Sequence, residues 1–334
     1  MLGFLRSLLS DAAPPAPAAR APAPAWVEDL RFERHLATHE GYPIADWHAV
    51  RAWVDTLPEE KRRGAAWSAC ERAWLLHLRD ALGKPFHLQE SDSAAVLSSL
   101  EPPVARAVLD YMARTLRRIG AVLKGIVDPD PWGKDILVVF DDEESYYRYV
   151  SYYYPERGEF ATSGGMHIHA GCSHFVAITG ALPQLETVIS HEMTHACLEH
   201  LPLPLWLNEG LAVNTEQRLT GVPRPEYGAA EKLHERLRRF WSVVSIQEFW
   251  SGASFHRPGE SNKLSYDLAR ILVEQLARDW EPFREFVVRA ERADAGAAAA
   301  RDHLNLDLGH AVTAILERDT PKSWSPDPTK WEKP

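Results

Sequence analysis

Apolar residues recur at intervals of three and four along much of this chain. Trp47, Val50, Trp53 and Val54 trace one helical face, as do Trp67, Cys70, Trp74, Leu75 and Leu78, and then Val104, Val108, Met112, Leu116 and Ile119. Residues 26–126 are therefore expected to form a helical N-terminal region, with its tryptophans in the core. The texture changes at Ile136-Leu137-Val138-Val139-Phe140, a β-branched run flanked by Pro131, Gly133 and an acidic turn, which predicts a buried strand. A tyrosine-rich helix is expected over 143–153. Residues 165–170 and 174–178 read as two short strands joined around Gly171 and Cys172. A helix should then start near Pro183, with Leu185, Val188, Ile189 and Ala196 as its packing surface, and end at Pro202 and Pro204. A second helix begins at Pro204 or Leu205. Further helical patterns cover 231–241, 264–277 and 311–316, so the fold class is α+β.

The two ends differ from the middle. Residues 1–25 include an Ala/Pro run from 11 to 25 that favours extended conformations and builds no core, so a disordered leader is expected. Residues 319–334, rich in Pro, Lys and Ser, are expected to be a flexible tail. Between them the chain divides into the helical region, 26–126, and a second folded domain, 134–318.

Composition narrows the function classes. With 45% apolar residues in 334, the chain has enough material for a sizeable soluble core. Its net charge of −10, without long acidic runs, argues against a nucleic-acid partner. Cys70, Cys172 and Cys197 lack the spacing of a disulfide framework or of a cysteine metal site. No run approaches the roughly 18 to 20 apolar residues of a spanning helix, so no transmembrane segment is expected. The first ten residues are too short and interrupted for a signal peptide, which gives a cytoplasmic location as the expectation.

The chemistry is concentrated in His191-Glu192-Met193-Thr194-His195. On a helix, positions four apart share a face, so the two imidazoles can meet one ion, with Glu192 beside them. Catalytic zinc sites use three protein ligands and keep a fourth position for water. A third ligand six positions after the second histidine is excluded, because that position is Leu201, and Leu198 stands where that pattern has glycine. Glu209, in Trp206-Leu207-Asn208-Glu209-Gly210-Leu211-Ala212, is the better candidate, since the chain can turn at Pro202 and bring a carboxylate back on the next helix. Gly210 removes a side chain where two helices would approach closely. The expected site is Zn2+ held by His191, His195 and Glu209, with Glu192 as general base towards water.

These two segments resemble the gluzincin branch of zinc metallopeptidases, and in particular the peptidase MA-like domain family, over roughly residues 134–318. The resemblance implies a zincin-like catalytic domain acting on a peptide or protein substrate, which pairs as an added strand near Met166 to Ala170. It also implies a Tyr or His donor to the oxyanion. Tyr266 is the first candidate for that role, ahead of His256 and His174. Two departures matter. Val213 stands where thermolysin-like relatives carry an Asp that supports a zinc ligand, with Glu216 as an alternative. His167 replaces the acid that aminopeptidase relatives use to hold a substrate amine, which points towards an endopeptidase. The alternatives are a catalytically silent zincin that keeps its metal for structure and its cleft for a partner, and a zinc amidohydrolase acting on a non-peptide amide.

Overall fold

Asp46 and Asp142 start helices in the expected way, each accepting a backbone N–H three residues on, from Ala49 at 3.0 Å and from Ser145 at 2.8 Å. The computed structural model describes residues 21–127, 132–154, 165–179, 182–221 and 227–331 of the 334. These residues form twelve α-helices, a two-stranded hairpin and a five-stranded mixed sheet. The expected leader falls mostly outside them. Its last described part is held to residues near the end of a later helix, Glu60–Leu82: the Arg79 guanidinium donates to Ala21 O at 2.6 Å and Asp80 accepts from Ala23 N at 3.2 Å.

The hairpin is β1 (Leu36–His39) and β2 (Tyr42–Ala45), followed by α1 (Trp47–Val54) and α2 (Glu60–Leu82). Next come β3 (His87–Glu90), β4 (Ala94–Ser98), α3 (Pro102–Val122), β5 (Asp135–Phe140), α4 (Glu143–Val150), β6 (Gly165–Ala170), β7 (Cys172–Ile178) and α5 (Leu182–Leu198). The sheet order is β3-β4-β5-β7-β6. β4, β5 and β7 are parallel, and β3 and β6 close the edges antiparallel. Parallel neighbours need a crossover, and α3 supplies it between β4 and β5.

The expectation of an all-helical 26–126 is corrected here, because four strands lie inside it. Strands of four or five residues offer too few positions to show alternation. β4 is buried at every position, so its Ala94-Ala95-Val96-Leu97 run has no period to separate it from a helix. Because β4 pairs with β5, the compact units also divide the chain elsewhere than between 126 and 134: one comprises Met1–Arg118 and Pro129–Ala196, the other Ile119–Asp128 and Cys197–Pro334.

In the first unit, the helical tryptophans are core. The Trp47 ring meets Trp67 and Trp74 at centroid separations of 5.3 and 5.7 Å. Glu71 is buried among them, accepting from Trp67 Nε1 at 2.8 Å and from Lys134 N at 3.1 Å, which ties α2 to the start of β5. Burial also pushes the Asp135 carboxyl, at the head of β5, up to about 7. The folded state thus keeps a proton there that the unfolded chain loses near its ordinary value of 3.8, so this residue costs stability as pH rises from about 4 through 7. Asp135→Asn is expected to stabilise the protein by about 1–3 kcal/mol at pH 8 and by much less at pH 5. Urea unfolding at the two pH values checks this, and an equal effect at both would refute it.

The second unit is helical: α6 (Leu205–Thr220), α7 (Tyr227–Phe240), α8 (Ser245–Ser251), α9 (Glu260–Leu276), α10 (Trp280–Arg289), α11 (Ala297–Leu304) and α12 (Leu308–Leu316). Trp206, Phe249, Trp250, Phe283 and Phe286 are fully buried and form its aromatic core. The flexible tail expected over 319–334 is a second correction. Trp324 is buried, and its carbonyl accepts from Trp250 Nε1 at 2.8 Å. Gln247 donates to Ser325 O and accepts from Asp327 N, both at 2.9 Å. Composition marked this segment as coreless, yet a single tryptophan with backbone partners holds it through Trp331. No helix among the described residues is long and apolar enough to cross a membrane.

Candidate metal centre

The α5 helix separates its faces cleanly. Leu185, Ile189 and Met193 recur every fourth residue and are fully buried, whereas His191 and His195 lie on the other side and are half-buried. The turn before His191 is anchored from a distance. The Tyr111 hydroxyl on α3 lies 2.8 Å from Ser190 Oγ and donates to Glu186 O at 2.9 Å. Ser190 and Thr194 return their own hydroxyls to carbonyls one turn back, at 2.8 and 2.7 Å. Nothing in the sequence marks Tyr111, because its partner is 79 positions away.

The two imidazoles converge: their Nε2 atoms are 3.1 Å apart, with the rings edge to face at 78°. Two nitrogens on a tetrahedral zinc at about 2.0–2.1 Å would stand roughly 3.3 Å apart. Glu209 completes the set. It is 9% exposed on α6, and one ligand atom from each of His191, His195 and Glu209 lies within 4.8 Å of the others. Two imidazole nitrogens and one carboxylate oxygen form a donor set suited to a divalent transition ion. Among the described residues this is the only such group of three found.

The setting of Glu209 depends on Gly210. A Cβ there would meet Ala269 O at 2.7 Å and Val273 Cγ2 at 2.5 Å, so the α6 backbone lies directly against the backbone of α9 at Ala269 and the side chain of Val273. Asn214, one turn on, locks the pair by donating to Arg270 O at 2.9 Å and to Gly210 O at 2.7 Å. Asn214 carries no distinctive mark in the sequence. Its signal, a polar side chain one turn beyond a helix-contact glycine, is shared by many solvated positions.

The remaining candidates separate. Glu192 is half-buried on α5 between the two histidines. Tyr266 sits in the second turn of α9, where its half-buried ring packs edge-on to Phe255 at 5.3 Å. At helical spacing it shares a face with Ala269 and Val273, the residues against Gly210. Glu216 is half-buried two turns along α6 from Glu209, and His256 is exposed. His174 is removed from the oxyanion candidates. It is buried under Trp74, its Nδ1–H donates to Cys172 O at 2.9 Å, and Tyr149 donates to its Nε2 at 2.7 Å. Burial holds that imidazole down at about 4.

β6 runs beside α5. A Cβ on Gly165 would meet Val188 Cγ1 at 2.8 Å, so alternate residues His167 and His169 share the side that faces α5. Burial, followed by the nearby His195, His174 and His169, pushes the His167 imidazole down to about 3. β6 is also an edge of the described sheet.

No protein-family model matches the chain, and no curated protein matches it. Among solved structures the chain is similar to native yeast LTA4 hydrolase, at 14% identity and a TM-score of 0.33. That similarity covers 72% of this chain and 39% of the yeast protein, so the chain spans well under half the length of the structure it matches.

Proposed function

We propose that this chain is a zinc-dependent metallopeptidase of the gluzincin type, with a zincin-like catalytic fold and endopeptidase action on peptide or protein substrates. The observation that carries the reading is the convergence of His191, His195 and Glu209 within 4.8 Å, with Glu192 retained between the two histidines. His191 Nε2, His195 Nε2 and a Glu209 carboxylate oxygen would hold the ion. Bound there, zinc supplies Lewis acidity towards a peptide carbonyl and towards water.

The chain's own groups do the rest. The Glu192 carboxylate takes a proton from the water that adds to the scissile carbonyl carbon. It then passes that proton to the amide nitrogen as the C–N bond breaks, leaving a carboxylic acid, which keeps the second proton of the water, and a free amine. The Tyr266 hydroxyl donates to the carbonyl oxygen as negative charge develops on it. The outer edge of β6 pairs with the substrate backbone, which holds the scissile bond in register. His167 on that strand offers no negative charge to a substrate ammonium, which favours cleavage within a chain over removal of its first residue. A silent, metal-stabilised protein is the weaker reading, because holding an ion requires the three ligands and not Glu192.

Metal analysis of the purified chain is expected to find about one zinc per molecule, and the parent protein to cut a library of unstructured peptides. Glu209→Ala is expected to weaken zinc binding by at least about a hundred-fold, more than the loss of a hydrogen-bonded supporting group costs. Undiminished zinc affinity in that variant would remove Glu209 from the site.

A further inference from the structure

We infer that Tyr111 is a positioning residue for the metal ligands: its hydroxyl, acting through Ser190, fixes the register of α5 relative to α3 and so the placement of His191 and His195. This rests on the zinc-binding part of the proposed function and deepens it. Three oxygens form a closed triangle between the two helices. Glu186 O lies 2.9 Å from the Tyr111 hydroxyl and 2.8 Å from Ser190 Oγ, and those two hydroxyl oxygens are 2.8 Å apart. Thr115, buried one turn along α3, hydrogen-bonds the Tyr111 hydroxyl from the other side. On α5 the pattern continues, with Thr194 Oγ donating to Ser190 O at 2.7 Å. Ser190 and Thr194 are both fully buried, and each immediately precedes a ligand histidine.

A buried, satisfied hydroxyl pair adds little net stability over apolar groups of the same shape, so stability is a poor account of this column. Register is a better one. The contacts of Leu185, Ile189 and Met193 are apolar and non-directional, and they tolerate small slides of the helix. The triangle does not: a shift of α5 by one residue moves its atoms by about 1.5 Å, which takes both Tyr111 bonds out of range. Glu186 O is also the acceptor for the Ser190 N–H in a regular helix, and a carbonyl oxygen has two lone pairs. Hydroxyls that compete for such a carbonyl bend helices, and here the loaded turn ends one residue before His191. A zinc site in turn accepts ligand distances only within about 0.2 Å of its preferred values, so it is sensitive to a displacement that a hydrophobic seam absorbs.

The test measures zinc affinity in the full chain, by competition with a chromophoric chelator. Tyr111→Phe, which removes only the hydroxyl, is expected to weaken zinc binding about tenfold, the lower end of what supporting groups around a metal are worth. The melting temperature of the zinc-free variant should stay within about 4 °C of the parent, the scale of one hydrogen bond in a chain of this size. Ser190→Ala should weaken zinc binding by a similar factor, and adding Tyr111→Phe to it should have little further effect, because the two hydroxyls act as one unit. Val50→Ala, in the buried face of α1, is the control: it should lower the melting temperature at least as much and leave zinc affinity unchanged. Parental zinc affinity in Tyr111→Phe overturns the inference. So does an equal loss of affinity in Val50→Ala, or fully additive losses in the double variant. A parent that binds zinc but cuts no peptide overturns the peptidase reading alone, since the affinities are measured without turnover.

Discussion

Glu192→Gln is expected to keep one zinc per chain and to lower peptide hydrolysis by about a hundred- to ten-thousand-fold, the usual range for removing a positioned general base. The substitution is nearly isosteric and leaves the three ligand residues unchanged, so the α5 helix and its buried stripe of Leu185, Ile189 and Met193 are undisturbed. What is lost is an acceptor: an amide oxygen cannot carry the proton from water to the leaving nitrogen. Metal analysis and single-turnover rates on the same preparation give both numbers. A variant that keeps zinc and more than a tenth of the parent rate would place the base elsewhere.

The second large effect is expected from Gly210→Val. Even the first added carbon would stand 2.7 Å from the Ala269 carbonyl oxygen, a backbone atom that cannot swing aside. Valine adds two methyl groups to that collision, so α6 must move off α9, at a cost of about 1–3 kcal/mol for overpacking. Glu209 is the preceding residue on the same helix, and the Asn214 bridge to Arg270 O spans the same seam. The expected result is a lower melting temperature together with zinc affinity reduced about tenfold or more, as for other changes that misplace a ligand. Gly210→Ala should show a smaller version of both. Thermal melts with and without excess zinc separate the two contributions: added metal should recover part of the melting temperature in the parent and less in the valine variant. A valine variant with parental zinc affinity would show that the α6–α9 seam does not set the Glu209 position.

Legibility varied along the chain for physical reasons. β5, the β6–β7 hairpin and the start of α6 were readable because each combines a distinct period with punctuation: Gly133 before β5, Gly171 in the hairpin, Pro202 and Pro204 before α6. β3 and β4 were not, since a four- or five-residue strand leaves no measurable alternation and full burial erases what there is. The end of the chain was misread for the opposite reason. Composition averages over a window, whereas the segment around Trp324 is held by one ring and by side-chain donors from Gln247 and Trp250 to its own backbone carbonyls. Tyr266 shows a third case. That its side of α9 is the one carrying Ala269 and Val273 against Gly210 emerges only from the helix packing, and its spacing alone also suits an ordinary core contact.

The sequence by itself determined the ligand types and their order: an i, i+4 pair of histidines, an acid between them, and a second acid placed beyond two prolines. Helical periodicity alone is enough to put His191 and His195 on one face, because that relation is local. Only the tertiary structure decided that Glu209 meets them, that Tyr111 anchors the turn behind His191, and that His167 and His169 face α5 while His174 is lost to the core. Those relations join residues far apart in the chain, and they are set by which surfaces bury together, a property that no local pattern of apolar and polar positions encodes.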